Sequence, residues 1–173
     1  LLDLVALGTV ADVVALDRNN RILVASGIAR MRAGHLCAGI DAILKIADRD
    51  RAHLRAQDMG FVIGPRLNAS GRMDDISSGI ECLLTDDPLH AEALARRLDE
   101  INRSRKDIEQ SMQYRALDIV KKLDVARKGL PLNKGLVLFD DSWHEGVVGL
   151  VASRIKDKTG VPVLVFAPGE GGI

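Results

Sequence analysis

The sequence predicts an α/β protein that is mostly helical and ends in a short parallel β-α-β unit. Three observations support this prediction. Apolar residues recur at helical spacing through much of residues 17–87. The same pattern continues from Pro88 to about Lys122 with no further proline and no glycine, which predicts one long helix. After a linker at 128–134, two apolar runs flank a final helical segment.

The elements before the long helix are predicted from periodicity and turn residues. Residues 4–7 form an apolar run with the length of a buried strand. Helical spacing predicts a helix over 22–31, closed by Gly34, and a second helix over 39–47. A short helix is predicted at Ser77–Leu84, followed by a turn that also caps the long helix.

The long helix is expected to connect two domains. A rise of about 1.5 Å per residue gives this helix a length of roughly 50 Å. Helices of this length more often connect two domains than lie within the core of one. A coiled-coil seam is the alternative, but the heptad pattern is not sustained. Beyond the linker, the predicted elements are a strand at 135–139, a helix at 147–158 that stops at Gly160, and a strand at 161–166. This order predicts a parallel strand pair joined by a right-handed crossover.

Composition limits the classes of function. The 173 residues are 47% hydrophobic, which suffices for a sizeable core. The 24 basic and 24 acidic residues balance, so a surface that binds nucleic acid must be local. Aromatic residues make up 3%, which argues against a platform stacking many bases. Cys37 and Cys82 lie in apolar contexts without metal-ligand spacing, which indicates reduced core thiols and a cytoplasmic protein. The apolar run at 1–7 is too short to cross a membrane.

The segment Gly64–Met73 combines two arginines, an asparagine, a serine and two glycines. It lacks helical periodicity, so we predict a loop between two helical patterns. Glycines allow backbone N–H groups to approach a ligand closely, and guanidinium groups match phosphate oxygens. The sequence therefore predicts a phosphate-binding loop. The alternative is an interdomain turn in which Arg66 and Arg72 pair with Asp74, Asp75 or a helix C-terminus.

Asp12 is a candidate metal ligand. It follows the predicted first strand and a Gly-Thr turn, and ligand groups in α/β sheets lie at the carboxyl ends of strands. The alternative is an aspartate that caps a helix or turn. Asp3, which precedes the strand, is expected to be structural. The four histidines show no metal-ligand spacing, so most ligands of any metal site would lie outside the chain.

The loop at 140–146 precedes a helix N-terminus, where free N–H groups and the helix dipole favour an anion. His144 could donate to a phosphate there, and Trp143 could stack on a base. The alternative is a buried Trp143 that closes a core, with His144 capping the helix. No Gly-x-Ser-x-Gly elbow is present, so nothing supports a serine hydrolase triad.

Taken together, three motifs resemble the RecJ-type single-strand-specific exonucleases of the DHH/DHHA1 phosphoesterase superfamily. The motifs are residues 3–12 (DLVALGTVAD), Gly64–Met73 (GPRLNASGRM) and 143–154 (WHEGVVGLVASR). Their order and spacing, with a long helix between the second and third, match the family across nearly the whole chain.

The resemblance implies a function and a site. It makes Asp12 the last metal-binding aspartate of a DHH domain, whose two Mn²⁺ or Mg²⁺ ions activate water against a DNA phosphodiester. Members of the family degrade single-stranded DNA from the 5′ end in repair and recombination. By the same resemblance, Asn68 and Arg72 contact the strand near the scissile phosphate, with Arg66 next. Single-strand-binding protein and a RecQ-type helicase are the protein partners that family analogy suggests.

The resemblance also divides the chain into four parts. These are the last part of a DHH domain at 1–16, a helical segment with the Gly64–Met73 loop at 17–87, a connecting helix at 88–128 and the start of an α/β DHHA1 domain at 134–173. The Asp-His-His residues that name the family are not in the chain. We therefore expect an internal segment of a longer protein that has no nuclease activity by itself.

Two other functions stay open at this point. One is a phosphodiesterase of small linear or cyclic nucleotides from the same superfamily, although such enzymes generally lack the long helix and the Gly64–Met73 motif. The other is a non-catalytic scaffold that binds a repair or replication partner through the exposed long helix.

Overall fold

Eight α-helices and two β-strands occupy the part of the chain that this computed structural model describes, residues 1–126 and 135–169. The helices are α1 (Leu2–Ala11), α2 (Arg18–Arg32), α3 (Ala38–Ile46), α4 (Ala56–Asp58), α5 (Gly64–Met73), α6 (Ser77–Leu84), α7 (Pro88–Ala126) and α8 (Val148–Thr159). The strands are β1 (Leu136–Phe139) and β2 (Val163–Phe166). The chain forms two compact units, Leu1–Arg103 and Ser104–Ile173.

The prediction of a strand at residues 4–7 is wrong, because these residues lie within α1. Asp3, Ala6 and Leu7 are the buried residues of α1, and their spacing is that of one helix face. Gly27 of α2 allows this face to pack closely, since a Cβ at Gly27 would lie 2.5 Å from both the Ala6 Cβ and the Leu2 carbonyl oxygen. The apolar run is therefore buried by helix packing and not by sheet pairing.

Asp3 is structural, as expected. Its carboxylate accepts a hydrogen bond from the Cys37 backbone N–H, at 2.8 Å, and thereby holds the start of α3. Burial raises the pKa of Asp3, but hydrogen bonds from the Cys37 and Leu4 N–H groups, together with the N-terminal ammonium beside it, bring its pKa below the usual value. The carboxylate stays charged in a nearly buried position because these N–H groups stabilise it.

The other helices of the first unit pack around one hydrophobic core. The predicted helices at 22–31, 39–47 and Ser77–Leu84 are confirmed as α2, α3 and α6. Gly34 follows α2 with a left-handed φ of +92°, as expected for the residue that ends the helix. The core includes Met31, Ile40, Ile43, Leu54, Met59, Ile63, Cys82, Ala95 and Leu98.

The predicted loop at Gly64–Met73 is also wrong, because this segment is α5. A π-helical turn at Met59–Ile63 runs directly into it. Pro65 is the second residue of α5, within its first turn. A Cβ at Gly64 would lie 3.0 Å from the Met59 carbonyl oxygen and 3.2 Å from the Ala11 Cβ, so this glycine serves close packing.

The long helix is confirmed as α7, and its first part belongs to the first unit. Ala91, Leu94, Ala95 and Leu98 form its buried side there. In the second unit, Met112 and Ala116 are buried.

The β-α-β arrangement of the second unit is confirmed. β1 and β2 pair in parallel, with Leu136 opposite Val163 and Phe139 opposite Phe166. A 3₁₀ turn at Glu145–Val147 leads into α8, which ends at Gly160 with a φ of +71°. The predicted linker at 128–134 lies outside the described residues.

Candidate nucleic-acid interface

Helix α5 presents Asn68 and Arg72 to solvent on the same face. The two residues are four positions apart, about one turn, and both are exposed. Ala69 and Ser70 are fully buried and hold the opposite side of the helix against the core. Within residues 1–126 and 135–169, neither Asn68 nor Arg72 has a side-chain hydrogen bond or ion pair, so both polar groups are open to a ligand.

Neighbouring carboxylates do not neutralise Arg72. Asp74 pairs instead with Arg97 of α7, at 2.6 Å. The hydrogen bond from Arg97 lowers the pKa of Asp74, and the Ser77 backbone N–H lowers that of Asp75. The pairing of Arg72 with Asp74 or Asp75, one of the alternatives from the sequence, does not occur in the structure.

Arg66 differs from Arg72 because protein groups already occupy its guanidinium. Its Nη2 and Nε atoms donate to the Asp99 Oδ1 atom, at 2.8 and 3.0 Å, and its Nη1 atom donates to the Val62 carbonyl oxygen at 2.7 Å. The Arg66 and Asp99 side chains are 13% and 7% exposed. Arg103 pairs with the other carboxylate oxygen of Asp99. This arrangement fastens α5 to α7, and a DNA contact by Arg66 stays a prediction.

Asp12 lies directly after α1 as its C-cap and is exposed. It was expected after a strand, so its structural context is corrected to a helix C-terminus. The preceding residue, Ala11, lies against Gly64 at the start of α5. The structure thereby brings the residue before Asp12 to the same helix that carries Asn68 and Arg72.

Asp12 can supply one carboxylate ligand to a Mg²⁺ or Mn²⁺ ion, and one carboxylate does not make a site. These ions take carboxylate oxygens, and several ligands are needed to hold them. In the described part of the chain, no group of three or more His, Cys, Asp or Glu side chains could hold a metal ion. A metal-binding role for Asp12 stays a prediction. Among the helices described, none combines the length and apolar character needed to cross a membrane.

In the second unit, Trp143 and His144 are both held within the fold. Trp143 is 4% exposed, and its Nε1 atom has no hydrogen-bond partner among the described residues. The His144 Nδ1 atom accepts a hydrogen bond from the Gly146 N–H at 3.0 Å, which assigns the ring proton to Nε2. These positions match the alternative of a core tryptophan and a capping histidine. Contacts of either residue with DNA stay predictions.

Arg115 of α7 holds the β1–α8 loop through contacts with Asp140 and Ser142. These contacts are called the Asp140 brace below. Arg115 lies 3.2 Å from Asp140 and donates to the Ser142 Oγ atom at 2.7 Å. The Ser142 N–H and hydroxyl both donate to Asp140. These hydrogen bonds, followed by the charge of Arg115, lower the pKa of Asp140. The Asp-x-Ser turn is a sequence signal for the first part of the brace, whereas nothing in the sequence points to Arg115.

Comparison with known proteins finds strong similarity along the chain. No family model matches. The single-stranded-DNA-specific exonuclease RecJ of Dickeya dadantii is 54% identical over 173 residues, which cover all of this chain and 30% of that protein. RecJ of Escherichia coli is 54% identical over 172 residues, again 30% of that protein. RecJ of Thermus thermophilus is 36% identical over 169 residues and 23% of its length.

Solved structures agree with the sequence comparison. A crystal structure of exonuclease RecJ bound to manganese superimposes with a TM-score of 0.82 at 35% identity, covering 96% of this chain and 40% of the other. RecJ from Thermus thermophilus in complex with Mg²⁺ gives a TM-score of 0.77 and is covered to 25%. The resemblance to the RecJ-type exonucleases is confirmed, and the chain spans about 30% of the length of the first two relatives.

Proposed function

We propose that this chain contributes a DNA-binding surface to a single-strand-specific 5′–3′ DNA exonuclease. The chain is a homologue of one segment of the RecJ-type exonucleases. The observation that carries the proposal is that Asn68 and Arg72 lie side by side on one exposed face of α5. An amide and an unpaired guanidinium at adjacent turns suit consecutive polar groups of a DNA backbone. The relatives are described as single-stranded-DNA-specific, which supports this substrate.

Within the proposal, Asp12 supplies one carboxylate to a Mg²⁺ or Mn²⁺ site. The RecJ structures that this chain resembles hold these ions. When bound, such ions activate water and stabilise the charge that develops on the phosphodiester. The chain's own residues then bind and orient the strand, with Arg66 holding α5 in place. Since one carboxylate does not make a two-metal site, we expect this chain by itself to lack nuclease activity.

The wider role follows from the same homology. We propose that the whole protein acts in DNA repair and recombination in the cytoplasm, with single-strand-binding protein and a RecQ-type helicase as candidate partners. In this role the chain positions DNA while residues elsewhere complete the metal site.

The test is DNA binding measured by fluorescence anisotropy at several salt concentrations. A short labelled deoxythymidine oligonucleotide should bind, and its affinity should fall as salt rises. Arg72→Ala should weaken binding and reduce the salt slope by about 1, since a phosphate contact is lost. Arg30→Ala, which removes an exposed arginine from α2, is the matched control and should bind like wild type. An unchanged salt slope for Arg72→Ala would contradict the proposal.

Catalysis is tested separately. Purified chain incubated with Mn²⁺ and 5′-phosphorylated single-stranded DNA should release no nucleotides. Clear turnover by the chain alone would show that it carries a complete active site.

A further inference from the structure

Phe61 is an exposed aromatic residue next to the proposed DNA-binding face. Phe61 is 79% exposed. It is one of only three phenylalanines in the 173 residues, so a large aromatic ring in water stands out. It lies in the π-helical turn Met59–Ile63. π-helical turns are rare in proteins, and those that occur are often found at functional sites. Val62 and Ile63 beside it are buried, so the turn is anchored while the ring points outward.

Phe61 lies on the solvent-exposed side of the contiguous helical segment that also carries the polar pair. Phe61, Pro65, Asn68 and Arg72 follow one another at intervals of four, three and four residues. Phe61, Asn68 and Arg72 are exposed, whereas Ala69 and Ser70 on the other side are buried. At helical rise, Phe61 is about 10 Å along the axis from Asn68. One strand can therefore reach both ends of this surface.

A cavity of about 480 Å³ adjoins the Phe61 ring. The rest of its lining consists of Val62 and seven polar residues, Asp48, Arg49, Asp50, His53, Arg55, Gln57 and Asp58. These polar side chains supply both hydrogen-bond donors and acceptors, as the edge of a nucleobase requires.

Two of the three carboxylates in this cavity already hold hydrogen bonds or an ion pair. Asp50 accepts from His53, at 2.8 Å, and from the Ala52 N–H. Asp58 lies 3.9 Å from Arg49 and accepts from the Arg55 N–H. In the part of the chain that the structure describes, the Arg55 guanidinium has no ion pair, and Asp48 is exposed. Because three carboxylates line the cavity against two arginines, it suits a neutral base better than a phosphate.

We infer that Phe61 and this cavity form a nucleobase subsite, in which the ring stacks on one unpaired base of the strand held by Asn68 and Arg72. The inference rests on the proposed function, because the same strand must run along α5. It adds a base contact to a surface that otherwise reads only the backbone. Stacking on an aromatic ring is tolerant of sequence, since every base offers a π-face.

The experiment compares two strands and two substitutions. Phe61→Leu keeps an exposed apolar side chain but removes the ring, and Phe61→Trp keeps a stacking surface. Both are measured by anisotropy on a deoxythymidine oligonucleotide and on an abasic strand of equal length. Leu89→Ala is the matched control, because Leu89 is also 79% exposed. Circular dichroism confirms that each variant is folded.

The expected result is selective for bases. Phe61→Leu should bind the deoxythymidine strand at least about fivefold more weakly with an unchanged salt slope, and Phe61→Trp should bind like wild type. On the abasic strand, Phe61→Leu should match wild type. Equal affinity of Phe61→Leu and wild type for the deoxythymidine strand, or an equal loss on both strands, would overturn the subsite. A normal Arg72→Ala effect in that case would leave the proposed function standing, whereas no DNA binding by wild type would remove both.

Discussion

The Arg66 guanidinium and the Asp99 carboxylate form a nearly buried ion pair, 2.8 Å apart, between α5 and α7. Removing one partner of such a pair leaves an uncompensated charge away from water. We expect Asp99→Ala to lower the free energy of unfolding by about 3–5 kcal/mol, measured by urea denaturation. Arg103→Ala is the control: Arg103 is 73% exposed and should contribute less than about 1 kcal/mol. Similar losses in the two variants would contradict this account.

Two glycines in packed helices should respond oppositely to alanine. A Cβ at Gly27 would lie 2.5 Å from the Leu2 carbonyl oxygen, whereas a Cβ at Gly8 would meet nothing within 4 Å. Gly27→Ala should destabilise the chain by about 1–3 kcal/mol through overpacking. Gly8→Ala should be neutral or stabilise α1 by up to about 1 kcal/mol. Thermal unfolding followed by circular dichroism measures both, and a stable Gly27→Ala would mean that α1 and α2 pack differently.

The Asp140 brace should make the second unit sensitive to acid. Hydrogen bonds from Ser142, then the charge of Arg115, lower the pKa of Asp140 in the folded state. Its contribution to stability is therefore complete above the unfolded pKa of about 3.9 and is lost as pH falls through the lower folded value. Asp140→Asn should be less stable than wild type at pH 7, and the two should converge at low pH. Trp143, the single tryptophan, reports unfolding by fluorescence; a gap that persists in acid would refute the brace.

The two cysteines should be unreactive in the native state. Burial, and to a smaller extent the nearby Cys37, raise the pKa of the Cys82 thiol to about 11. Burial also raises the pKa of Cys37. Since the thiolate is the reactive form, both thiols should react slowly with an aromatic disulfide at pH 8 and quickly in guanidinium chloride. Rapid labelling of Cys82 without denaturant would contradict its burial.

The sequence predicted the elements with a clear period and missed those defined by packing. α2, α3, α7 and the β-α-β unit carry apolar residues at regular spacing, and their boundaries were found within a few residues. The run at 4–7 is apolar on every side, and a short run of this kind fits a strand as well as a buried helix. In the folded protein this run is helical and packs against Gly27 of α2.

The same reasoning explains the candidate site. Residue types pointed to Gly64–Met73 as a phosphate-binding segment, because amides and guanidinium groups suit phosphate, and the family resemblance selected Asn68 and Arg72 within it. The glycines and proline of Gly64–Met73 indicated a loop, yet Gly64 is required by the nearby Met59 oxygen and Ala11. The pairing of Arg66 with Asp99 joins residues 33 positions apart, and no local pattern announces such a contact.

The helical form of Gly64–Met73 has a consequence for the entropy of binding. Ordering the backbone costs about 1–2 kcal/mol per residue at room temperature. For α5 this cost is met when the protein folds, since Ala69 and Ser70 are buried whether or not a ligand is present. A strand that reaches Asn68 and Arg72 has only their side chains left to immobilise. A surface that is ordered before binding therefore spends less free energy on ordering itself when a ligand arrives.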